Sequence, residues 1–465
     1  MSKTLEKKEM AEKTKYSGCR AAVIGMARSG IAAAGLLRSR GCSVLVSDTS
    51  EVENLHDEIA LLEAAGSEFE TGGNSSRVLE AGFIVVSPGV PLNIPVLKKA
   101  SEKKIEIISE VELAFRNTSA EWIAVTGSNG KTTVTTLIGK MLEASGISAA
   151  VCGNIGVPVS EVIQKGKDDG IIVSEISSFQ LEAVKSFKPG IALLLNLTPD
   201  HLDRYSDVDD YYRTKLKIFG NDENAVKGII NAEDPVILKY LGERKEKFFG
   251  FSIEDSGMQG VFISNGAFVC RRDNRLEKLM DVDRLKIKGR HNMQNAAAAF
   301  AASIMAGAKT EAAAYAAGEF TGVNHRLEYC GSIKNVDFYN DSKATNTASM
   351  ETALKSFEKP VVLIAGGRDK GGDFSSLRDL VSEKCTKAVL SGEAAGTIKN
   401  AWEGAIELEF AHDMNDAVNK AFRNSSRNGV ILLSPGCASF DAYKNYEERG
   451  EHFKRVFNSL RKENE

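Results

Sequence analysis

Short apolar segments that end in Gly, Asp, Ser or Asn recur along the chain, and residues with helical spacing follow each one. These segments are Arg20–Gly25, Ser43–Asp48, Phe83–Pro88, Ile123–Gly127, Gly170–Glu175, Ile191–Asn196, Val361–Gly366 and Val430–Pro435. Nearly continuous Val, Ile and Leu, without alternation, is typical of parallel strands that helices cover on both faces. The pattern predicts an α/β fold of repeated strand–helix units, in which ligands bind where the strands end.

The chain is long enough for several such sheets. Its 465 residues correspond to roughly two to four domains. A polar stretch at Arg116–Glu121 and the segment after Gly322 are natural breaks. We therefore predict three domains, at 1–117, 118–321 and 322–465, with a closely packed Ala-rich helix at Asn292–Ala306 in the second.

Composition excludes several classes of protein. The net charge of −4 gives no electrostatic reason to expect nucleic acid or an acidic membrane as a partner. The 7 cysteines are scattered without a CxxC pair, which favours a reducing compartment over a disulfide framework or a zinc site. Residues 1–18 are charged and lack the apolar stretch of a secretory signal, and no run approaches the length of a membrane span. We expect a cytoplasmic protein with a charged N-terminal tail.

The sharpest motif is TGSNGKTT at Thr126–Thr133, which directly follows an apolar strand and precedes a helical run. This is the context of a P-loop, in which backbone N–H groups and the helix N-terminus surround phosphate oxygens. Lys131 then neutralises the β- and γ-phosphates, and the Thr132 hydroxyl ligates Mg²⁺. Val125 stands where the first glycine of the motif is usual. The alternative is an ordinary glycine-containing turn with an exposed lysine.

Two further strand ends carry groups suited to metal chemistry. Glu175 ends an apolar strand in SEISSFQLE, where a carboxylate can bind a magnesium ion that bridges phosphates. A helix-capping or salt-bridged glutamate is the alternative. Asp200, His201 and Asp203 cluster in LNLTPDHLDR, and we expect His201 to be a metal ligand rather than a core histidine.

Three asparagines are candidate ligand contacts. Asn154, in CGNIG, either reaches a substrate or supplies a left-handed turn. Asn292 and Asn295 share one face at the start of a helix, where two amides either hold an adenine or cap the helix. Spacing alone leaves these alternatives open.

The N-terminal loop Gly25–Gly30 follows a predicted strand but has Ala27 where a dinucleotide-binding loop has its second glycine. By itself it resembles a weak NAD fingerprint, with Asp48 as the acid for the ribose. The missing glycine argues against close approach of a pyrophosphate. Cys437 is interpreted as a buried structural thiol rather than a nucleophile.

Together, TGSNGKTT, GNIG, SEISSFQLE, LNLTPDHLDR, YYRTKLKIF, GRHNMQNAAAA, HRLE, NDSKATN and SPGCASFDAYKNYEERG resemble the Mur ligases of peptidoglycan synthesis. The resemblance spans nearly the whole chain after about residue 18. It implies a Rossmann-like N-terminal domain for a UDP-linked substrate, a central P-loop ATPase domain and a Rossmann-like C-terminal domain for the incoming amino acid.

The resemblance also assigns roles to residues at matching positions. The implied catalytic residues are Lys131, Glu175, His201 and Lys215, of which Thr132, Glu175, His201 and Lys215 would bind two Mg²⁺ ions, Lys215 as a carbamate. The implied ATP contacts are Gly127, Ser128, Asn129, Gly130, Lys131, Thr132, Thr133, Asn292, Asn295, Arg326 and Asp341. The implied UDP-substrate contacts are Ser29, Asp48, Ser87 and Asn154. The implied amino-acid contacts are Thr345, Lys370, Ser439 and Tyr446, with Lys370 pairing a substrate carboxylate.

NDSKATN and CASFDAYKNYEERG are similar to the branch of the family that adds D-glutamate, and a DNPR signature is absent. The implied activity is ATP-dependent addition of D-glutamate to UDP-N-acetylmuramoyl-L-alanine through an acyl phosphate, by a monomer. One alternative is a related ligase with a different amino acid, including a folylpolyglutamate-type synthetase. Another is a P-loop regulatory NTPase with an NAD-sensing domain, which gives no reason for Lys215 and His201.

Overall fold

The computed structural model describes residues 16–200, 204–220, 226–273, 275–287, 289–369 and 371–464. Its strands form three sheets, of five, nine and six strands, and helices connect most parallel neighbours. The prediction of an α/β fold is confirmed. The first two sheets belong to one compact unit, Met1–Phe320, and the third forms a second unit, Thr321–Glu465.

The first sheet is wholly parallel and has the strand order β3-β2-β1-β4-β5. Its strands are β1 Arg20–Ile24, β2 Ser43–Ser47, β3 Glu68–Glu70, β4 Phe83–Val86 and β5 Glu106–Ser109. Its helices are α1 Arg28–Ser39, α2 His56–Ala64, α3 Pro95–Glu102 and α4 Glu110–Phe115. This is the Rossmann-like arrangement, in which the strand order reverses beside β1 and opens a crevice at the strand ends.

The second sheet has the order β14-β13-β12-β11-β10-β9-β6-β8-β7. Its strands are β6 Trp122–Thr126, β7 Ala149–Gly153, β8 Ile171–Glu175, β9 Ile191–Leu194, β10 Lys227–Asn231, β11 Phe249–Phe251, β12 Gly260–Ser264, β13 Ala267–Arg272 and β14 Arg275–Asp281. Its helices are α5 Lys131–Ala144, α6 Val159–Gln164, α7 Ser178–Glu182, α8 Val208–Leu216, α9 Pro235–Leu241, α10 Arg290–Met305 and α11 Thr310–Glu319.

One edge of this sheet departs from the parallel pattern, because β13 runs antiparallel to both of its neighbours, β12 and β14. The turn between β12 and β13 is Asn265-Gly266, with φ of 49° and 73°. Two consecutive residues with positive φ give the two-residue hairpin turn that Asn-Gly favours, because its twist matches that of the strands. The continuous apolar runs that predict parallel strands do not reveal this hairpin.

The third sheet has the order β15-β16-β20-β17-β18-β19, with β15 antiparallel to β16 and the rest parallel. Its strands are β15 Glu328–Ile333, β16 Val336–Asn340, β17 Val361–Gly366, β18 Cys385–Ser391, β19 Glu407–Phe410 and β20 Val430–Leu433. Its helices are α12 Thr347–Leu354, α13 Arg378–Lys384, α14 Ala395–Trp402, α15 Met414–Asn424 and α16 Tyr446–Asn464.

The first two sheets are joined by a buried carboxylate. Glu112, on α4, has no exposed surface and accepts backbone N–H bonds from Lys185 and Phe187, each at 2.9 Å. Beside it, the rings of Phe115, Trp122 and Phe187 pack edge to face, with centroids 5.4–5.9 Å apart. These contacts fix the end of the first sheet against the start of β6 and the segment before β9.

None of the helices in the described part of the chain is long and apolar enough to cross a lipid bilayer.

Candidate active site

The P-loop lies between β6 and α5, at the carboxyl end of β6, which pairs with β9 and β8 in the second sheet. Gly127 and Gly130 have φ of 156° and 83°, values that an L side chain rarely adopts, so these positions require glycine. The ammonium of Lys131 donates to the carbonyls of Gly127 and Ser128, each at 2.9 Å. The lysine therefore folds over the loop, at the place where phosphate groups would need a cation.

A chain of hydrogen bonds links the P-loop to the ends of two other strands. The Thr132 hydroxyl donates to Oε2 of Glu175 at 2.7 Å, and the amide of Asn154 donates to Oε1 at 2.8 Å. Glu175 is 3% exposed and lies opposite Val125 in the parallel register of β6 and β8. Asn154 does not have positive φ, so its interpretation as a left-handed turn is wrong.

The oxygen atoms of Thr132 and Glu175 match the preference of Mg²⁺ for hydroxyl and carboxylate ligands. Within the described ranges, no group of three His, Cys, Asp or Glu side chains could hold a metal ion by itself. Mg²⁺ bound beside a P-loop commonly completes its coordination with water and with the phosphates of a nucleotide.

Lys215, on α8, is 2% exposed, and its ammonium nitrogen lies 2.9 Å from the Gly127 carbonyl and 4.8 Å from the centroid of the Tyr211 ring. Burial lowers the pKa of Lys215 well below its usual value, and the charge of Lys131 lowers it further. Asp200 opposes this shift, as an anion beside the same amine. These surroundings favour the neutral, nucleophilic form of the lysine amine.

The asparagines of α10 lie against the P-loop. Asn295 donates its amide to Oδ1 of Asn292 at 3.2 Å, and a side chain at Gly130 would place its Cβ 2.4 Å from Oδ1 of Asn295. The N-cap residue of this helix is Gly289, with no side-chain capping bond. The structure thus places Asn295 against the P-loop, and a nucleotide remains the predicted ligand of this pair.

In the first sheet, the predicted UDP-substrate residues lie at the ends of β1, β2 and β4. The carboxylate of Asp48 accepts the Met26 N–H at 2.6 Å and the Ser50 N–H at 2.8 Å. Burial acts to raise the pKa of Asp48, but these backbone donors outweigh it and the pKa lies below its usual value. The Ser87 hydroxyl donates to the Gly25 carbonyl at 3.0 Å, and Ser29 lies in the first turn of α1.

In the second unit, Asp341 follows β16 and is 5% exposed. It accepts hydrogen bonds from the Leu327 N–H at 3.1 Å and from the Ser434 hydroxyl at 2.9 Å. Burial raises the pKa of Asp341 to about 7, although these bonds and the charge of Arg326 act in the opposite direction. Arg326 and Asp341, both predicted nucleotide contacts, are therefore neighbours.

The loops that carry Thr345 and Ser439 are held by a buried arginine. Arg449, on α16 and 3% exposed, donates to the carbonyls of Ser342 at 2.8 Å, Cys437 at 3.0 Å and Ala438 at 3.2 Å. Burial lowers its pKa to about 10. The arginine thus joins the loop after β16 to the loop after β20.

Tyr446 and Cys437 belong to the same region of the second unit. Tyr446 begins α16 and accepts a 2.8 Å hydrogen bond from the Ser342 hydroxyl at its carbonyl. Cys437 is 1% exposed, and burial raises its pKa to about 12. This agrees with its interpretation as a structural thiol.

Comparison with known proteins identifies the family. The sequence matches the N-terminal domain of MurD-like Mur ligases over residues 19–109, the Mur ligase middle domain over 125–303 and the Mur ligase glutamate ligase domain over 325–437. It is 40% identical over 439 residues to the UDP-N-acetylmuramoylalanine–D-glutamate ligase of Geotalea uraniireducens, a match that covers 94% of this chain and 97% of that one.

The chain belongs to the Mur ligase family. A second relative of the same name, from Desulfatibacillum aliphaticivorans, is 42% identical over 445 residues, 95% of this chain and 99% of that one. Among solved structures, the fold is similar to UDP-N-acetylmuramate–alanine ligase from Thermotoga maritima, with a TM-score of 0.56 and 20% identity over 95% of this chain and 100% of that one. It is also similar to a pseudomurein peptide ligase from Methanothermus fervidus, with a TM-score of 0.57 and 17% identity over the same shares.

Two residues predicted to be important in this Mur ligase, His201 and Lys370, lie outside the described residues. Their assignments as a magnesium ligand and as a partner of a substrate carboxylate stay predictions.

The structure of the Mur ligase also reveals functional candidates that the sequence analysis did not single out. Asn196 hydrogen-bonds the P-loop residue Asn129 through its side chain, and Arg449 organises the loops of the second unit. Tyr211 places its ring beside Lys215 and its hydroxyl 3.2 Å from that of Ser128. All three residues lie within motifs that the sequence analysis quoted, but a motif does not say which side chains turn inward.

Proposed function

We propose that this Mur ligase joins D-glutamate to UDP-N-acetylmuramoyl-L-alanine with hydrolysis of ATP, in the synthesis of peptidoglycan precursors. The observation that carries the proposal is 40–42% identity, over nearly the full length of both chains, to relatives named for this reaction. The P-loop, with Thr132 bonded to the buried Glu175, supplies a site suited to the nucleotide.

Lys131 and the backbone N–H groups at the start of α5 bind the phosphates of ATP, and the domain around the first sheet binds the UDP-linked substrate. A carboxylate is a poor electrophile, so the alanyl carboxylate first attacks the γ-phosphorus, and the bond to the β-phosphate oxygen breaks to release ADP. The amine of D-glutamate then attacks the acyl carbon. The nitrogen loses a proton, phosphate leaves, and an amide bond remains.

The residues of this chain contribute mainly position and charge to these steps. Lys131 neutralises the charge that spreads over the transferred phosphoryl group, as electrostatic preorganisation requires. Thr132 and Glu175 would hold a Mg²⁺ ion, which supplies further charge neutralisation when bound. We place a second Mg²⁺ ion on His201 and on Lys215 as a carbamate.

The surroundings of Lys215 support the carbamate. Its amine is buried beside Lys131 and the P-loop, where burial and the charge of Lys131 both disfavour a second cation. Reaction of the neutral amine with CO₂ forms an N–C bond, releases one proton and leaves an anionic carbamate in place of the amine. We expect activity to fall in CO₂-free buffer and to return on addition of bicarbonate. Lys215→Arg, which keeps a cation that cannot form a carbamate, should be inactive and indifferent to bicarbonate.

The three predicted domains, 1–117, 118–321 and 322–465, divide the substrates among them. In this proposal the first binds the UDP-linked substrate through Ser29, Asp48 and Ser87, with Asn154 from the second domain. The second binds ATP at the P-loop, together with Asn292 and Asn295. The third contributes nucleotide and D-glutamate contacts, which are Arg326, Asp341, Thr345, Lys370, Ser439 and Tyr446. We propose that the enzyme acts as a cytoplasmic monomer, without a nucleic-acid or membrane partner, and light scattering of the purified chain tests the oligomeric state.

The decisive experiment measures phosphate release from ATP with UDP-N-acetylmuramoyl-L-alanine present, while D-glutamate, L-glutamate, L-lysine or diaminopimelate is added in turn. Release that requires D-glutamate, with a new amide product by mass spectrometry, supports the proposal. Dependence on another amino acid would keep the ligase chemistry and change the substrate. Turnover without any acceptor would refute the ligase function and favour a regulatory NTPase.

A further inference from the structure

The segment Leu195–Thr198, which follows β9, forms a network with the outer half of the P-loop. The Asn129 N–H donates to Oδ1 of Asn196 at 2.7 Å, and the amide of Asn196 donates back to the Asn129 carbonyl at 3.1 Å. The Ser128 N–H donates to the Asn196 carbonyl at 3.1 Å. One asparagine thus makes three hydrogen bonds to two consecutive residues of the phosphate loop.

Thr198 strengthens the same contact. Its N–H donates to the Ser128 hydroxyl at 3.0 Å, and that hydroxyl donates to the Thr198 carbonyl at 2.9 Å. The Ser128 hydroxyl therefore acts as both donor and acceptor within the protein. Ser128 and Asn129 are bound to the segment after β9 along their whole outer edge.

The segment after β9 is itself fixed from behind by β10 and α9. The amide of Asn231, at the end of β10, donates to the Leu195 carbonyl at 3.2 Å. Oδ2 of Asp234 accepts the Leu197 N–H at 2.9 Å, while Oδ1 of Asp234 caps α9 by accepting the N–H groups of Val236 and Ile237. The segment that contacts the P-loop is therefore held in place by the end of β10 and the start of α9.

The chemistry of this contact requires an asparagine. The side-chain amide presents one acceptor and one donor at a spacing that matches the N–H and carbonyl of one backbone residue, as in a bridge between two strands. A glycine-containing loop has many accessible conformations, and holding it in one of them before ATP arrives reduces the entropy lost on binding. Aspartate keeps the acceptor but loses the donor, and alanine loses both.

We propose that Asn196 is a positioning residue that holds the outer half of the P-loop in the conformation that binds the nucleotide phosphates. It acts through Ser128 and Asn129 and need not touch the nucleotide itself. The inference rests on the proposed function for its kinetic consequences only, since nucleotide affinity and loop exchange can be measured without ligase turnover.

The first test compares Asn196→Ala and Asn196→Asp with the parent protein by amide hydrogen exchange without nucleotide. Asn196→Ala should accelerate exchange in the peptide that contains Ser128 and Asn129. Asn196→Asp should keep Asn129 protected, because its carboxylate still accepts the N–H. Asn400→Ala, at an exposed position of α14, is the matched control and should exchange as the parent does in this peptide.

The second test measures Mg·ADP and UDP-N-acetylmuramoyl-L-alanine affinities by calorimetry. Loss of the two side-chain bonds should weaken Mg·ADP binding about 10-fold in Asn196→Ala. The affinity for the UDP-linked substrate should stay within about two-fold, which a general loss of folding would not allow. In turnover assays the KM for ATP should rise while the KM for D-glutamate is unchanged.

Several outcomes would overturn the inference. Parent-like exchange of Asn129 in Asn196→Ala would mean that the side chain does not hold the loop. Faster exchange with unchanged Mg·ADP affinity would mean that the held conformation is irrelevant to binding. If Asn196→Ala does not fold, fast exchange of Asn129 in Asn196→Asp would contradict the geometry by itself. Failure of the parent to use D-glutamate would refute the proposed function but leave these binding results interpretable.

Discussion

The buried carboxylate of Glu112 should be one of the strongest single contributors to the stability of the first unit. Besides the Lys185 and Phe187 N–H groups, it accepts the Ser186 N–H at 2.9 Å, the Ser186 hydroxyl, and Nε of Arg116 at 2.7 Å. Five donors therefore converge on two oxygens that have no contact with solvent. Burial acts to raise the pKa of Glu112, but these donors outweigh it, and the pKa lies below its usual value.

We predict that Glu112→Gln destabilises this unit by about 3–5 kcal/mol. Glutamine has the same shape, but its NH₂ group faces N–H donors instead of accepting from them. At least two of the five donors then lose their acceptor, and each unsatisfied buried donor costs roughly 1–3 kcal/mol. The loss is large beside a typical total stability of roughly 5–15 kcal/mol.

Glu106→Gln is the matched control. Glu106 also pairs with Arg116, through two hydrogen bonds of 2.8 and 2.9 Å, but its side chain is 43% exposed. Surface pairs of this kind contribute roughly 0–1 kcal/mol. The same substitution beside the same arginine should therefore cost several-fold less at position 106 than at position 112.

The assay is urea unfolding followed by tryptophan fluorescence. The protein has 2 tryptophans, and Trp122 lies in the aromatic cluster beside Glu112. A Trp402→Phe background removes the signal of the second unit, so that the transition reports the first. Equal slopes of free energy against urea justify comparison of the variants. A Glu112→Gln effect below about 1 kcal/mol, or one equal to that of Glu106→Gln, would refute the reasoning.

The sign of the pH effect follows from the lowered pKa of Glu112. Its contribution is fully present above the pKa of an unfolded glutamate and is lost as the pH falls through the pKa in the folded protein. The difference between parent and Glu112→Gln should therefore shrink in acid. A difference that grows as the pH is lowered below about 4 would contradict this account.

Three further predictions concern the second unit and the strand ends. Burial raises the pKa of Asp341 to about 7, so its ionisation opposes folding as the pH rises. Between pH 5 and pH 8 the free energy of unfolding of Asp341→Asn should therefore increase by about 2–3 kcal/mol relative to the parent, as measured by urea unfolding. A difference that stays constant over this pH range would contradict the prediction. Gly153 and Gly156 both have positive φ, but a Cβ at Gly153 would lie 2.4 Å from the Glu175 carbonyl oxygen, whereas one at Gly156 meets nothing within 4 Å. Thermal unfolding should show that Gly156→Ala lowers stability by about 1 kcal/mol and that Gly153→Ala lowers it by at least twice as much. Equal losses of stability would contradict this. Iodoacetamide at pH 8 should label the exposed Cys19 and spare the buried Cys437, and peptide mass spectrometry that finds Cys437 modified first would disprove the assignment of a structural thiol.

Much of this fold can be predicted from local sequence, because the residues that mark each strand, turn and helix are adjacent in the chain. Each parallel strand is a short run that ends in a turn residue, and the P-loop needs only eight adjacent residues, Thr126–Thr133, between a strand and a helix. The hairpin of β12 and β13 was missed although both strands contain apolar runs, because an apolar run by itself does not distinguish an antiparallel strand from a parallel one. Its Asn265-Gly266 turn was the signal that could have revealed it.

Packing adds what spacing left open. Asn292 and Asn295 share a face, as i,i+3 spacing predicts, and the close approach of Gly130 to Asn295 places that asparagine beside the P-loop. Asn154 could have been a turn residue, and its hydrogen bond to Glu175 gives it a different role. Such contacts depend on the order of strands in the sheet, which no single motif specifies.

The sequence by itself determined the α/β class, the P-loop and the family, because these depend on local patterns and on motifs in a fixed order. Tertiary structure decided which distant groups meet. Thr132 and Glu175 are separated by 43 residues, and Lys215 and Gly127 by 88. From its own neighbours, Lys215 is a solvated charge on a polar helix. It becomes a buried amine beside the phosphate loop because α8 packs against the end of the sheet, and burial is a property of the whole fold rather than of any segment.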